Sequence, residues 1–311
     1  MSSDANRSDR PSLPELLESL DANPLEMEDT AIRIAPEAPG WIHDALRGLH
    51  LQVQFVDDPD GPERVIELPE PDEGTSVKRL EHAIRTVFDP DALLFDLDGV
   101  LADVSASYRK AIRETAASFG VELDSEEIAE AKMQGDANND WILTRRLIEQ
   151  RGLSVELDEV VEVFEQFYHG TDDTPGFHED EGLLEDPEWI ADLAESFMLG
   201  IVTGRPRRDA LRFLKHHNIA QTFDCVITMD DVDHVKPDPE PVLRCLNTLG
   251  TGHAWFFGDT PDDMEAATEA GLLALGVVPP GESKERTQAT LREAGACRVL
   301  SSAREGSNLL P

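Results

Sequence analysis

Four short stretches of the chain hold side chains suited to work on a phosphate group. In Phe95-Asp96-Leu97-Asp98-Gly99-Val100-Leu101 two carboxylates lie one residue apart at the end of an apolar run. They can face one ligand if the extended chain breaks there, and Gly99 permits that break. In Gly200-Ile201-Val202-Thr203-Gly204-Arg205 an apolar run ends in a hydroxyl followed by free backbone N–H groups, which suits a phosphate oxygen. A Thr that caps the next helix is the plainer role for the same residue. Lys236 sits in Val235-Lys236-Pro237-Asp238-Pro239, where two prolines stiffen the loop that presents its ammonium. Only six of the 27 basic residues are lysines, and a compact point charge beside a phosphoryl group is one chemical reason to keep one. In Trp255-Phe256-Phe257-Gly258-Asp259-Thr260-Pro261-Asp262-Asp263-Met264 an apolar run ends in Gly-Asp, with Asp263 at the start of the next helix. Magnesium takes oxygen ligands, and Asp96, Asp259 and Asp263 could supply them; a charge that merely suits a helix N-terminus is the other role for Asp263.

The elements that must position these groups follow from the hydrophobic pattern. Apolar runs at 92–97, 198–203, 225–228, 254–258, 272–278 and 297–300 read as strands, and the stretches at 207–217, 239–249, 262–270 and 283–294 read as helices between them. Continuous apolar strands alternating with helices imply a Rossmann-like parallel sheet covered on both faces, with ligands at the carboxyl ends of its strands. The alternation is interrupted once. About a hundred residues after the first strand carry helical patterns only, at 105–119, 125–133, 139–151, 157–167 and 187–195, and an insertion of that size is a helical domain over the strand ends. The expected organisation is α/β: a mobile segment at 1–25, a small α/β extension at 26–88, a core at 89–103 and 197–311, and a helical cap at 104–196. Within the extension, 51–56 and 64–68 read as strands and 75–87 as an amphipathic helix.

Composition bounds the partners. Asp and Glu total 64 against 27 Lys and Arg, a formal net charge of -37, which disfavours nucleic acid and anionic membranes. The carboxylates are dispersed along the chain rather than gathered in a tail, as in salt-adapted cytoplasmic proteins, where salt screens their repulsion. Cys225, Cys245 and Cys297 lie in no metal-binding spacing and read as free thiols of a reducing compartment. No stretch approaches the roughly 20 apolar residues that span a bilayer, and the polar start MSSDANRSDRPS is no secretory signal, so a cytoplasmic location is expected.

Taken together and in this order, FDLDGVL, VTGR, Lys236 before Pro237-Asp238, and GDTPDDM resemble the four motifs of the haloacid dehalogenase superfamily over about residues 92–300, in the branch with a helical cap inserted after the first strand. The resemblance implies a magnesium-dependent phosphomonoesterase for a small phosphorylated metabolite. Asp96 would be the nucleophile that forms an aspartyl-phosphate, and Asp98 the general acid and then the general base. Thr203 and Lys236 would hold the transferring oxygens. Mg2+ would be bound by Asp96, the backbone carbonyl of Asp98, and Asp259, with Asp263 as ligand or support. The second Asp favours phosphate chemistry over dehalogenation, since dehalogenases of this fold lack it. Transporting ATPases with this core need membrane helices, and none is legible here.

Substrate choice should rest with the cap: Tyr108, Arg109, Asn138, Asn139, Asp140 and Trp141, joined by Gly204 and Arg205 of the core, are the candidates to face it. YRKAIRETA and GDANNDWILT resemble a haloarchaeal hydrolase family of this type that is sometimes joined to a histidinol-phosphate aminotransferase, and residues 64–87 resemble the tail of such an enzyme. No pyridoxal-binding lysine motif accompanies it, so aminotransferase activity is not expected. The resemblance makes histidinol phosphate the first specific candidate, its amine received by Asp136 or Asp140, with phosphoglycolate the rival through cations such as Arg109. A phosphomutase of the same fold, or a catalytically silent binding protein on it, are the other readings.

Overall fold

Each apolar run after Asp91 becomes a strand of one sheet. The structure, a computed structural model, describes residues 89–135 and 137–310, the strands at 31–34, 54–57 and 64–67, and residues 82 and 85–87. Strands β1 (Ala31–Ile34), β2 (Gln54–Asp57) and β3 (Arg64–Glu67) form an antiparallel sheet in the order β1-β3-β2. Residues 82 and 85–87 are helical, and the rest of the helix expected at 75–87 lies outside the described residues. The segment expected to be mobile, 1–25, lies outside the described residues. Thr86 itself meets the core, its carbonyl accepting from Trp255 Nε1 at 2.7 Å.

In chain order there follow β4 (Ala92–Phe95), β5 (Ala102–Asp103), helices α1 (Tyr108–Ser118), α2 (Ser125–Met133), α3 (Asp140–Gln150) and α4 (Leu157–His169), and the short strands β6 (Gly170–Thr171), β7 (Thr174–Pro175) and β8 (Gly182–Leu183). Then come α5 (Pro187–Ala194), β9 (Met198–Val202), α6 (Arg207–His216), β10 (Cys225–Ile227), α7 (Glu240–Leu249), β11 (Ala254–Gly258), α8 (Pro261–Glu269), β12 (Leu273–Val277), α9 (Lys284–Glu293) and β13 (Arg298–Leu300).

The main sheet runs β10-β9-β4-β11-β12-β13, all parallel. Alternation along its strands feeds two cores. Leu93 and Phe95 of β4 with Trp255 and Phe257 of β11 enter one, while Ala92, Leu94, Ala254 and Phe256 enter the other, which is why these strands read as unbroken apolar runs. Phe95 stacks on Phe257 with ring centroids 4.9 Å apart; truncating so buried a ring costs about 3–5 kcal/mol. β4 is central and the chain order reverses at it, with β9 on one side and β11 on the other, so the crevice for a ligand opens beyond their carboxyl ends.

Between β4 and β9, α1 to α4 build the helical layer, and its apolar interior is continuous with one of the two sheet cores through Tyr108, Ala111, Ile112 and Phe164. A capping box between Asp124 and Glu127 starts α2, and the Asn139 side chain starts α3. The antiparallel pair β5–β8 marks where the chain leaves and re-enters the sheet. Helix α5 packs on the sheet itself, with Trp189 edge-on to Phe95 at 6.4 Å and its Nε1 donating to Ser307 Oγ at 2.7 Å. Among the described residues no helix is long and apolar enough to cross a membrane.

Candidate active site

The residue after β4 still belongs to the ladder: Asp96 N donates to Phe257 O at 2.8 Å, which fixes its side chain at the sheet edge. The chain then turns tightly, with Ala102 N donating to Leu97 O at 2.7 Å and Gly99 N to Ala102 O at 2.9 Å. Gly99 takes φ +75°, and a Cβ there would stand 2.2 Å from Asp259 Oδ2, so backbone conformation and proximity both demand glycine. Asp259 follows β11 directly. Asp263 lies in the first turn of α8, where its Oδ2 accepts from Asp259 N and Thr260 N, both at 3.1 Å, and from Thr260 Oγ1 at 2.7 Å. Lys236 arrives from the loop before α7 and donates to Asp96 Oδ1 at 2.7 Å, Asp263 Oδ1 at 2.5 Å and Val202 O at 3.0 Å.

Three carboxylates and one ammonium thus crowd a place almost shut from solvent, for Asp96, Asp259, Asp263 and Lys236 are all buried. Burial pushes Asp96 up to about 7; Lys236 opposes this, and Asp263 and Asp98 add to it. Burial, then Asp263 and Asp96, raise Asp259 well above the usual carboxylate range. For Lys236 burial pulls down, but Asp263 and Asp96 outweigh it and its pKa is raised. Oxygens of Asp96, Asp259 and Asp263 lie within 4.8 Å of one another, and among the described residues the Asp259 carboxylate takes no hydrogen bond or ion pair. A buried carboxylate with no partner, in an all-oxygen donor set, fits a hard divalent cation such as magnesium. Asp263 already spends both oxygens on Lys236 and the Asp259–Thr260 backbone, so Asp96 and Asp259 are the better-placed ligands.

Beside them, Thr203 follows β9 and its Oγ1 accepts from Arg205 N at 3.2 Å, leaving the hydroxyl proton for another acceptor. Gly204 is where the helical layer touches the sheet: a Cβ there would meet Asn138 O at 2.4 Å. Arg205, buried, donates through Nε to Asp98 Oδ1 at 2.5 Å and through Nη1 to Glu181 Oε2 at 3.0 Å.

A small cavity between the layers is lined by Asp98, Gly204 and Arg205 from below and by Tyr108, Asn138, Asn139, Asp140 and Trp141 from above. Arg109 stands apart from it, paired with Glu282 of the loop before α9. Asn139 spends its side-chain oxygen on capping α3, accepting from Trp141 N at 3.0 Å and Ile142 N at 3.1 Å. Asp140 is buried and ion-paired with Lys132 at 2.9 Å, while Asp136 lies outside the described residues.

The haloacid dehalogenase-like hydrolase family profile matches residues 93–277, more than half of the chain. The chain belongs to this family. An imidazoleglycerol-phosphate dehydratase from Phytophthora nicotianae is 44% identical over 197 residues, 61% of this chain and 43% of that protein. The pyrophosphatase PpaX of Anoxybacillus flavithermus is 33% identical over 128 residues, 39% of this chain and 56% of that protein. The chain therefore spans about half the length of these curated relatives. A solved structure of a hydrolase from Pseudomonas syringae superposes with TM-score 0.56 at 23% identity, covering 70% of this chain and 96% of that one, a likeness of fold.

Three buried residues of this haloacid dehalogenase-like hydrolase escape a reading of its sequence: Lys132, Tyr168 and Glu181. For Lys132, burial pulls the pKa down, but Asp140 and Asp98 outweigh it and hold the ammonium charged near the site. The scarcity of lysine that singles out Lys236 marks Lys132 equally. Tyr168 and Glu181 carry no local signal, because only the return of the chain from the helical layer brings them to Arg205.

Proposed function

We propose that this haloacid dehalogenase-like hydrolase is a magnesium-dependent phosphomonoesterase that acts on a small metabolite through an aspartyl-phosphate on Asp96. The observation that carries the reading is the juxtaposition of buried Asp96, ion-paired to Lys236 at 2.7 Å, with the Asp259 carboxylate, which takes no hydrogen bond or ion pair among the described residues. Asp96 would form an O–P bond as the bond to the leaving oxygen breaks, and Asp98 would give that oxygen a proton. In the second half Asp98 takes a proton from the water that attacks phosphorus and releases Asp96. Lys236 and the Thr203 hydroxyl offset charge on the transferring oxygens. Asp96, Asp259 and the carbonyl of Asp98 would hold magnesium, which supplies neutralisation of phosphoryl charge.

A small imidazole-bearing phosphomonoester, histidinol phosphate first, is the leading substrate candidate. Its support is the 44% identity to a protein named for an imidazole-bearing phosphate ester, and the Trp141 and Tyr108 rings in the cavity lining, since Asp140 is already paired with Lys132. Phosphoglycolate would instead call on Lys132, which already neutralises Asp140. A reducing, cytoplasmic location is part of this reading; Cys225, Cys245 and Cys297 are buried free thiols. Phosphate release in molar KCl, with and without magnesium, tests the activity, with histidinol phosphate, phosphoglycolate and pyrophosphate as competing substrates. Asp96→Asn is expected to abolish turnover and keep the fold; normal turnover by that variant would reject the mechanism.

A further inference from the structure

Arg205 does not hold Asp98 alone. Glu181 lies next to β8, where the chain re-enters the sheet, and Ser107 lies ahead of α1, just after the chain has left it. Ser107 Oγ donates to Glu181 Oε1 at 2.8 Å, Tyr168 OH of α4 donates to the same oxygen at 3.1 Å, and Arg205 Nη1 occupies Oε2 at 3.0 Å. The guanidinium lies over the ring of Tyr108 at 4.7 Å and that of Phe213 at 5.2 Å. Ser107, Tyr168, Glu181 and Arg205 are all buried. A guanidinium is a planar, rigid fork, so fixing Nη1 on one carboxylate and the plane between two rings fixes the direction of the Nε–H bond. That bond ends on Asp98.

Resting on the phosphatase reading above, we propose that Glu181 is a positioning residue for proton transfer: through Arg205 it aims the Asp98 carboxylate. Glu181 gathers hydrogen bonds from Ser107 at one chain crossing and from Tyr168 in the helical layer, so the aim of Asp98 depends on how that layer is seated. Neutralising a buried arginine would also require a carboxylate here, but that role alone predicts no dependence on the leaving group. A role through Asp98 does. An alkoxide leaving group needs the proton that Asp98 supplies, whereas p-nitrophenolate leaves with little help.

The experiment compares glycerol 2-phosphate with p-nitrophenyl phosphate in single-turnover measurements of enzyme phosphorylation, in molar KCl with magnesium. Glu181→Ala is expected to slow the alkyl ester by about tenfold or more and the aryl ester by less than about threefold, with KM nearly unchanged. Glu181→Gln keeps an acceptor for Arg205 and should restore most of the loss. Tyr168→Phe, which removes one hydroxyl and keeps the ring, should show the same selectivity at about threefold, and it carries the test if the alanine variant does not fold. Equal losses on both esters, or no loss in these variants, overturns the inference while the phosphatase reading stands. A wild-type enzyme that turns over neither ester removes that reading and this inference with it.

Discussion

Lys236 donates to Asp96 Oδ1 at 2.7 Å, and its other carboxylate partner, Asp263, stands at the start of α8. One ammonium therefore joins the end of β4 to the first turn of α8. Lys236→Met should lower phosphate release by about a hundredfold or more, because charge on the transferring oxygens loses its nearest cation. Lys236→Arg should not restore it, since the buried slot offers acceptors to a compact ammonium and no room for a planar fork. Rates for the two variants, with circular dichroism to verify folding, check this; an active arginine variant contradicts it.

The same crowding has a consequence for pH. Asp96 is pushed from 3.8 up to about 7 by burial, so between these values the folded protein without metal holds a proton that the unfolded chain has lost. The folded state binds more protons there, and stability falls as pH rises from about 4 to about 7, with the cost complete above that range. In molar KCl with chelator present, the melting temperature should be lower at pH 8 than at pH 6. Asp96→Asn should flatten the slope, and excess magnesium should restore the loss at pH 8. An unchanged slope in that variant rejects the assignment to Asp96.

Gly204 shows how close the helical layer comes to the sheet. A methyl group there would lie 2.4 Å from Asn138 O and 2.6 Å from Asn138 Oδ1, inside any real contact distance. Gly204→Ala should hold the layers apart, raising KM or lowering kcat by about tenfold, because oriented reacting groups lose rate steeply with small displacements. The two hydrophobic cores are untouched, so the melting temperature should move little. A large fall in melting temperature with normal kinetics would reverse this account.

The core of the site was legible because each of its side chains comes at a strand end, and strands announce themselves by apolar runs. Asp96, Thr203 and Asp259 follow β4, β9 and β11 within one residue, so reading the strands places the groups. Lys236 lay in a loop, and its identity rather than its place gave it away. The residues of the helical layer were harder, since a helix shows which face is apolar and not what that face meets. Arg109 follows Tyr108 at the start of α1, yet Tyr108 lines the cavity and Arg109 turns to Glu282, about one helical step away. Glu181 was one acidic residue among 64 until the chain's return from α4 set it against Arg205.

Salt should act differently on two sets of ion pairs that join the helical layer to the core. Arg286 of α9 reaches Glu126 at 3.0 Å and also pairs with Glu130, both on α2, and its side chain is 55% exposed. Arg109 and Glu282 pair where the side chains are only 14% and 5% exposed. At about 1 M salt the screening length is about 3 Å, so the exposed pairs lose most of their attraction while the enclosed one keeps it. The net charge of -37 is screened as well, which favours the compact state. The wild-type melting temperature is therefore expected to rise from dilute buffer to molar KCl. Arg286→Ala should cost little in molar KCl, whereas Arg109→Ala, which leaves Glu282 buried without its cation, should remain destabilising at every salt concentration. Melting curves of the three proteins across a KCl series decide it: equal stability of the wild type in dilute and concentrated salt, or a loss on Arg109→Ala that vanishes with salt, contradicts the account.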